Sequence, residues 1–233
     1  MELKLTKKPK GPLVIEGFPG FGLVGTIATE FLIEHLKCEK IGRYYFEDLP
    51  ATIAVHNGDI IDPVSIYYNK EYNLVLIHAI TAAAGIEWEA ADLVLDICKR
   101  LEAKEILSIE GVGSAMAANR VFYTTSDKKR ASQLTKIGVD ALEEGIIVGV
   151  TSSLLMKADL PITCIFAETH SSLPDSKAAA EVIKVLDKIL GLKVDPGPLI
   201  DQAERFEAKL KQILEQTELA KEEKDKKQLS YVG

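Results

Sequence analysis

The sequence predicts an α/β fold: a three-layer αβα sandwich around a mainly parallel sheet, with a hairpin insertion and a C-terminal helical arm. Three observations predict it. Short apolar runs alternate with segments of helical spacing, the pattern of strands that cross over through helices on both faces of a sheet. Asn57-Gly58 lies between two strand-like runs and signals a hairpin. Asp195-Pro196-Gly197-Pro198 breaks the chain, and apolar residues at heptad spacing follow it.

Each element follows in order. Leu13 to Gly17 is a short apolar run closed by glycine, read as a buried strand. After the turn Phe18-Pro19-Gly20-Phe21-Gly22, the segment Leu23 to Lys37 places Leu23, Ile27, Phe31 and Leu32 on one helical face. Ile41 to Phe46 reads as a strand. Thr52 to His56 and Ile60 to Tyr68 form the arms of the hairpin, and Asn73 to Ile80 is continuously apolar, as a central strand is. Glu87 to Leu101 is a helix, Glu105 to Ile109 a strand, and Arg120 to Thr125 a shorter strand. Asp127 to Ile137 is a helix capped by Asp127 or Ser126. Gly145 to Ser152 and Pro161 to Ala167 read as further strands, and Ser176 to Leu190 as a helix closed by Gly191. The expected domains are residues 1–194 as the α/β body, 195–227 as the helical arm and 228–233 as a flexible tail.

In the arm, Leu199, Ala203, Phe206, Leu210, Ile213, Thr217 and Ala220 recur at spacings of 4, 3, 4, 3, 4 and 3, a narrow heptad seam. It packs either back on its own domain or against another subunit, with Leu199, Phe206, Leu210 and Ile213 as the contact residues. The tail carries Leu229, Tyr231 and Val232, apolar residues in a segment expected to be solvated.

Composition narrows the function. Of the 233 residues 47% are apolar, which suffices for a large core. The net charge of −7 opposes general nucleic-acid binding, because phosphate neutralisation needs a basic surface. The three cysteines, Cys38, Cys98 and Cys164, are scattered in apolar stretches and form no CxxC pair, so reduced buried thiols and a cytoplasmic location are expected. The N-terminal stretch is polar, and Leu74 to Ile86 is too short and is broken by His78, so no membrane span is expected.

Gly20-Phe21-Gly22-Leu23-Val24-Gly25 matches GxGxxG between a strand and a helix, and Glu47 lies 22 residues past Gly25, near the place of a ribose-binding carboxylate. Backbone amides at a helix start hold phosphate well. Two features oppose a dinucleotide site: the chain enters a hairpin after Glu47, and Phe18, Pro19 and Phe21 crowd the loop. The other reading is a tight strand-to-helix connection in which Gly20, Gly22 and Gly25 allow close packing. Phe18 and Phe21, if exposed, then serve as anchors for a partner.

His78, Glu110, Glu168 and His170 fall near strand ends, where an open parallel sheet binds ligands. Their spacing matches no metal motif, so His78 is expected in the core and the others in loops. Ser108, Ser114, Ser152 and Ser153 lack a GxSxG elbow, which opposes a serine hydrolase. Trp88 opens a helix and is expected half-buried. No catalytic residue, cofactor or metal is expected.

Gly17-Phe18-Pro19-Gly20-Phe21-Gly22-Leu23-Val24-Gly25 resembles the opening motif of the proteasome-assembly-chaperone family, second type, especially its archaeal members. Tyr44-Tyr45-Phe46-Glu47-Asp48-Leu49-Pro50 is similar to the family's segment before the hairpin, Leu74 to Ala79 to its central strand, and Glu110-Gly111-Val112-Gly113 to its later glycine turn. The resemblance spans roughly residues 10 to 195. It implies a fold akin to the nucleoside phosphorylase/hydrolase group, and an ATP-independent, non-catalytic binder of proteasome α-subunits or the 20S core particle that forms homo-oligomers. Many such chaperones dock by a tail ending hydrophobic-Tyr-any; Leu229-Ser230-Tyr231-Val232-Gly233 departs from that pattern by one position. The alternative is a nucleotide- or phosphate-binding enzyme using the glycine loop at residues 17–25.

Overall fold

The computed structural model describes residues 3–49, 51–56, 58–81, 85–113, 120–169, 173–195, 197–198 and 200–201. In chain order the elements are β1 (Lys4–Leu5), β2 (Leu13–Gly17), α1 (Val24–His35), β3 (Glu39–Tyr44), β4 (Ala54–His56), β5 (Asp59–Ile61), β6 (Val64–Asn69) and β7 (Leu74–Ala79). They continue with α2 (Glu87–Leu101), β8 (Glu105–Gly113), β9 (Val121–Thr125), α3 (Lys128–Lys136), β10 (Asp140–Ala141), α4 (Gly149–Lys157), β11 (Ile162–Thr169) and α5 (Ser176–Leu190).

Nine strands form one sheet in the order β1-β3-β6-β7-β2-β8-β11-β9-β10. Its centre, β7-β2-β8-β11, is parallel, with Leu13 opposite both Leu74 and Glu105, and Ile106 opposite Ile162. The flanks turn antiparallel at β6 and at β9, and the short edge strand β10 pairs parallel with β9, so the sheet is mixed, with its four-stranded parallel block in the middle. That is where the sequence is most uniformly apolar: all six residues of β7 and all eight of β11 are buried. A strand covered on both faces needs apolar residues at every position.

Alternate strand residues feed two cores. Ile15, Leu76, Leu107 and Ile165 pack with α1 and α5 on one face; Val14, Ile77, Ile106 and Phe166 pack with α2 and α4 on the other. Each such fully buried side chain contributes about 1.5–3 kcal/mol. Helix ends agree with local chemistry. Asp127 caps α3 through the Lys129 amide (2.7 Å), and Asp175 caps α5 through the Ala178 amide (2.9 Å). Gly191 stops α5 in a left-handed conformation, φ 68°.

Two expectations change. The segment Gly145 to Ser152 is not a strand: residues 142–148 form a loop, and Gly149, at φ 80°, opens α4. Ile146-Ile147-Val148 has strand composition, but burial recurs at Val150, Thr151 and Leu154, a helical interval that sets α4 beside α2 on the sheet. The second arm of the hairpin is also divided. Pro63, which has no amide proton to give, separates β5 from β6, leaving β4 and β5 as a two-stranded sheet of their own. In the arm, Leu199, Phe206, Leu210 and Ile213 lie outside the described residues, as do Leu229, Tyr231 and Val232 of the tail.

Candidate functional site

The carboxyl ends of β2, β8 and β11 open into a cleft of about 1000 Å³. One wall is the elbow Phe18-Pro19-Gly20-Phe21; the opposite wall is the loop from Asp140 to Val150. Glu110, Arg120 and Glu168 line it between them. The location follows from topology. After β2 the chain builds β3 to β7 on one side, then crosses β2 to build β8 and β11 on the other. Connections therefore diverge at the β2 end, and a crevice forms there.

The elbow is a packing device. A Cβ on Gly17 would stand 2.2 Å from the Gly25 carbonyl oxygen, and one on Gly25 would stand 2.5 Å from the Ile109 oxygen. The start of α1 therefore lies directly against β2 and β8. Gly22 (φ 66°) and Leu23 (φ 50°) turn the chain left-handed into the helix. A Cβ on Gly20 would come within 1.8 Å of Glu110 Oε1, because the Glu110 carboxyl is folded under the elbow. There it accepts hydrogen bonds from the Phe21 and Gly111 amides. The place an anion would take at a glycine loop is filled by a carboxyl of the same chain.

Beneath it runs a buried polar chain. The Ser108 hydroxyl donates to Glu16 Oε1, Thr151 Oγ1 is 2.8 Å from Ser108 Oγ, and Glu110 Oε2 is 3.4 Å from Thr151 Oγ1. The Phe18 amide donates to Glu16 Oε2 at 3.3 Å. Burial pushes the Glu16 carboxyl up to about 7. Burial, and then the neighbouring Glu16 charge, push Glu110 up to about 8. With Glu110 protonated, every hydroxyl has one partner to give to: Glu110 to Thr151, Thr151 to Ser108, Ser108 to Glu16.

Glu168, buried at the end of β11, is held by Arg120 through Nε (3.3 Å) and Nη2 (2.8 Å), and Arg120 lies over the Phe122 ring at 5.0 Å. His78 belongs elsewhere. It is buried beneath α1, with Nδ1 2.9 Å from Thr29 Oγ1 and Nε2 2.7 Å from Glu30 Oε2. Among the described residues no group of three or more His, Cys, Asp or Glu side chains is placed to hold a metal.

Of the four strand-end residues, the cleft gathers Glu110 and Glu168; His78 is not in it, and His170 and Ser114 lie outside the described residues. Glu47 is exposed in a turn after β3. The two elbow aromatics were expected to stand exposed together, and they part company: Phe21 is 45% exposed, but Phe18 is 3% exposed in the α2–α4 core. Both lie in the elbow wall of the cleft, Phe18 sunk into the core and Phe21 at the rim. Trp88 is 49% exposed, with Lys157 Nζ 5.3 Å from its ring. Burial pushes all three thiols up to about 12, which leaves them poor nucleophiles. Sequence reasoning missed Glu16, Ser108 and Thr151 as a group. The available signal was a carboxylate inside an apolar five-residue strand. No helix among the described residues is long and apolar enough to cross a membrane.

A model of the PAC2 family matches residues 14–214. The crystal structure of Pyrococcus furiosus PbaA, an archaeal homolog of proteasome-assembly chaperone, is 31% identical, with a TM-score of 0.81 over 94% of this chain and 99% of that one. Pyrococcus furiosus PbaB, an archaeal proteasome activator, shares the fold: 24% identity, a TM-score of 0.73, and coverage of 91% of this chain and 98% of that one. The uncharacterized protein MJ0106 of Methanocaldococcus jannaschii is 28% identical over 92% of each chain.

Proposed function

Because this chain belongs to the PAC2 family, we propose that it is an ATP-independent chaperone homologue that binds proteasome α-subunits or the 20S core particle, as a homo-oligomer in the cytoplasm. The observation that carries this reading is the near full-length likeness to the archaeal homolog of a proteasome-assembly chaperone. The elbow supports it. Phe21 stands on a rigid turn with its ring half in solvent, as an interface anchor does. Leu229, Tyr231 and Val232 supply a second apolar contact, and Leu199, Phe206, Leu210 and Ile213 a seam for self-association.

The competing reading, a nucleotide or phosphate cradle at Gly20, Gly22 and Gly25, meets a physical obstacle. An anion placed there competes with Glu110 for the elbow amides and faces two carboxyls. The test is a pull-down of recombinant proteasome α-subunits by the full chain, with and without residues 228–233, beside a thermal-shift panel of nucleotides and phosphate. We expect α-subunit capture by the full chain and no upward shift with any ligand. Failure of both forms to capture an α-subunit overturns the chaperone reading.

A further inference from the structure

We propose that a basic groove on the β1–β3 edge of the sheet docks an acidic, extended segment of a partner protein. The groove encloses about 610 Å³ and is lined by three cations, Lys4, Lys40 and Arg43, with Thr6 and Tyr45 beside them. A bulge shapes the surface. Between Lys40 and Gly42, β3 carries one residue more than β6, and such an insertion bends a strand. Thr6 ties β1 to the bulge: its amide donates to the Ile41 oxygen at 2.7 Å and its hydroxyl at 3.0 Å.

The chain does not balance the charge it gathers there. Asp62 takes Lys40 and, at 3.6 Å, Arg43. Glu39, at the start of β3, is held by Lys7. Lys4 has no carboxylate partner among the described residues. Three cations thus share one carboxylate. Lys4 also stands directly opposite Arg43 across the β1–β3 pair. Like charges at such positions are destabilising. A lysine on an edge strand by itself keeps that strand from pairing with other chains. Arg43 has no such task, because β3 is already paired on both sides, to β1 and to β6.

The layout defines the guest. Lys40 and Tyr45 are five residues apart, about 17 Å along a strand, so the donors form a line rather than a cradle around one ion. An extended polypeptide of about five residues has that length, and its carboxylates meet the cations in turn. Tyr45 is exposed and adds a hydroxyl donor at the end of the line. The whole chain carries a net charge of −7, which repels an acidic partner at long range and favours landing where positive charge is concentrated.

This proposal stands apart from the proteasome reading and is tested without a proteasome. The probe is octaglutamate labelled with fluorescein. Its anisotropy is followed as the full chain is added in about 0.1 M salt, where exposed charges more than about 10 Å apart are largely screened. We expect saturable binding. Water-soluble carbodiimide then joins probe carboxyls to lysine amines, and mass spectrometry finds the joints at Lys4 and Lys40. Lys4→Glu weakens binding roughly fivefold, because an attraction becomes a repulsion. The same substitution leaves the midpoint of urea unfolding level or raises it, since it turns a like pair into an opposite pair with Arg43. Lys177→Glu, an equal change of charge at an exposed position in α5, leaves binding within about twofold. The proposal is overturned by absent binding, by joints at other lysines, by equal losses in the two variants, by a lowered midpoint for Lys4→Glu, or by an eight-residue oligothymidylate that binds as tightly as octaglutamate.

Discussion

The central sheet buries carboxylates at both of its ends, and the two ends are built differently. At the amino end of β8, Glu105 is gripped by Arg130 through Nε (2.9 Å) and Nη2 (2.5 Å), and the Thr163 hydroxyl donates to it at 2.9 Å. Both partners are 11% exposed, and every carboxylate lone pair of consequence is met. At the other end, Glu16 and Glu110 share hydroxyls and amides, with no cation beside them among the described residues. At the amino end the buried carboxylate is compensated; at the cleft end Arg120 compensates Glu168, while Glu16 and Glu110 stay uncompensated where the topology opens a cleft. Residues with strongly shifted protonation gather at functional sites, where burial and neighbouring charges are arranged around the chemistry.

That contrast is broken most severely at the compensated end. Arg130→Ala strands Glu105 as an unpaired buried charge, and loss of one partner of such a pair costs about 3–5 kcal/mol. Urea unfolding at neutral pH measures it. A change below about 1 kcal/mol, the range of an exposed pair, removes the distinction between the two ends.

The fold was far more legible in the sequence than either group of buried carboxyls: Glu105 with Arg130 was not read at all, and of the cleft only Glu110 and Glu168 were. Leu13–Gly17, Glu87–Leu101 and Ser176–Leu190 match their expected bounds because apolar pattern and terminal residues agree there. The cleft wall was misread where they disagree: Ile146-Ile147-Val148 has the composition of a strand, but Ile146 and Val148 face solvent and Ile147 packs only partly against the core. Glu16 escaped notice because one carboxylate does not disturb the apolar reading of a strand. Thr151, which joins Ser108 to Glu110, lay inside the segment mistaken for a strand. Phe18 and Phe21 are three residues apart in a turn, and composition cannot say which one is swallowed.

The uncompensated pair is tested by pH. Glu16 and Glu110 ordinarily release their protons near 4.5; in the folded chain they hold them to about 7 and about 8. Between these limits the folded state binds more protons than the unfolded state, so stability falls as pH rises. The stabilisation is complete below pH 4.5 and is lost through about pH 8. We expect a decline of several kcal/mol between pH 5 and pH 8, followed by urea unfolding at each pH. Glu110→Gln keeps an oxygen for the Phe21 amide and a donor for Thr151 without a charge, and it flattens the decline. A slope unchanged by Glu110→Gln breaks the comparison at this end.

The smallest expected effect on stability sharpens the comparison furthest. The Phe21 side chain lies over Gly113, where an added Cβ would stand 3.5 Å from the ring, and nearly half of it faces solvent. Its amide, not its ring, holds Glu110. Phe21→Ala therefore leaves the elbow in place and costs about 1 kcal/mol in unfolding, typical of a partly exposed truncation. An aromatic anchor at the centre of an interface is worth more than that to the partner, and its loss weakens binding by about tenfold or more. Titrating proteasome α-subunits against Phe21→Ala and the parent chain gives the two numbers side by side. Lost binding with intact folding assigns the cleft end to recognition. Lost folding with unchanged binding by the surviving folded fraction makes Phe21 a core residue like Phe18, and the difference between the two ends of the sheet then concerns stability alone.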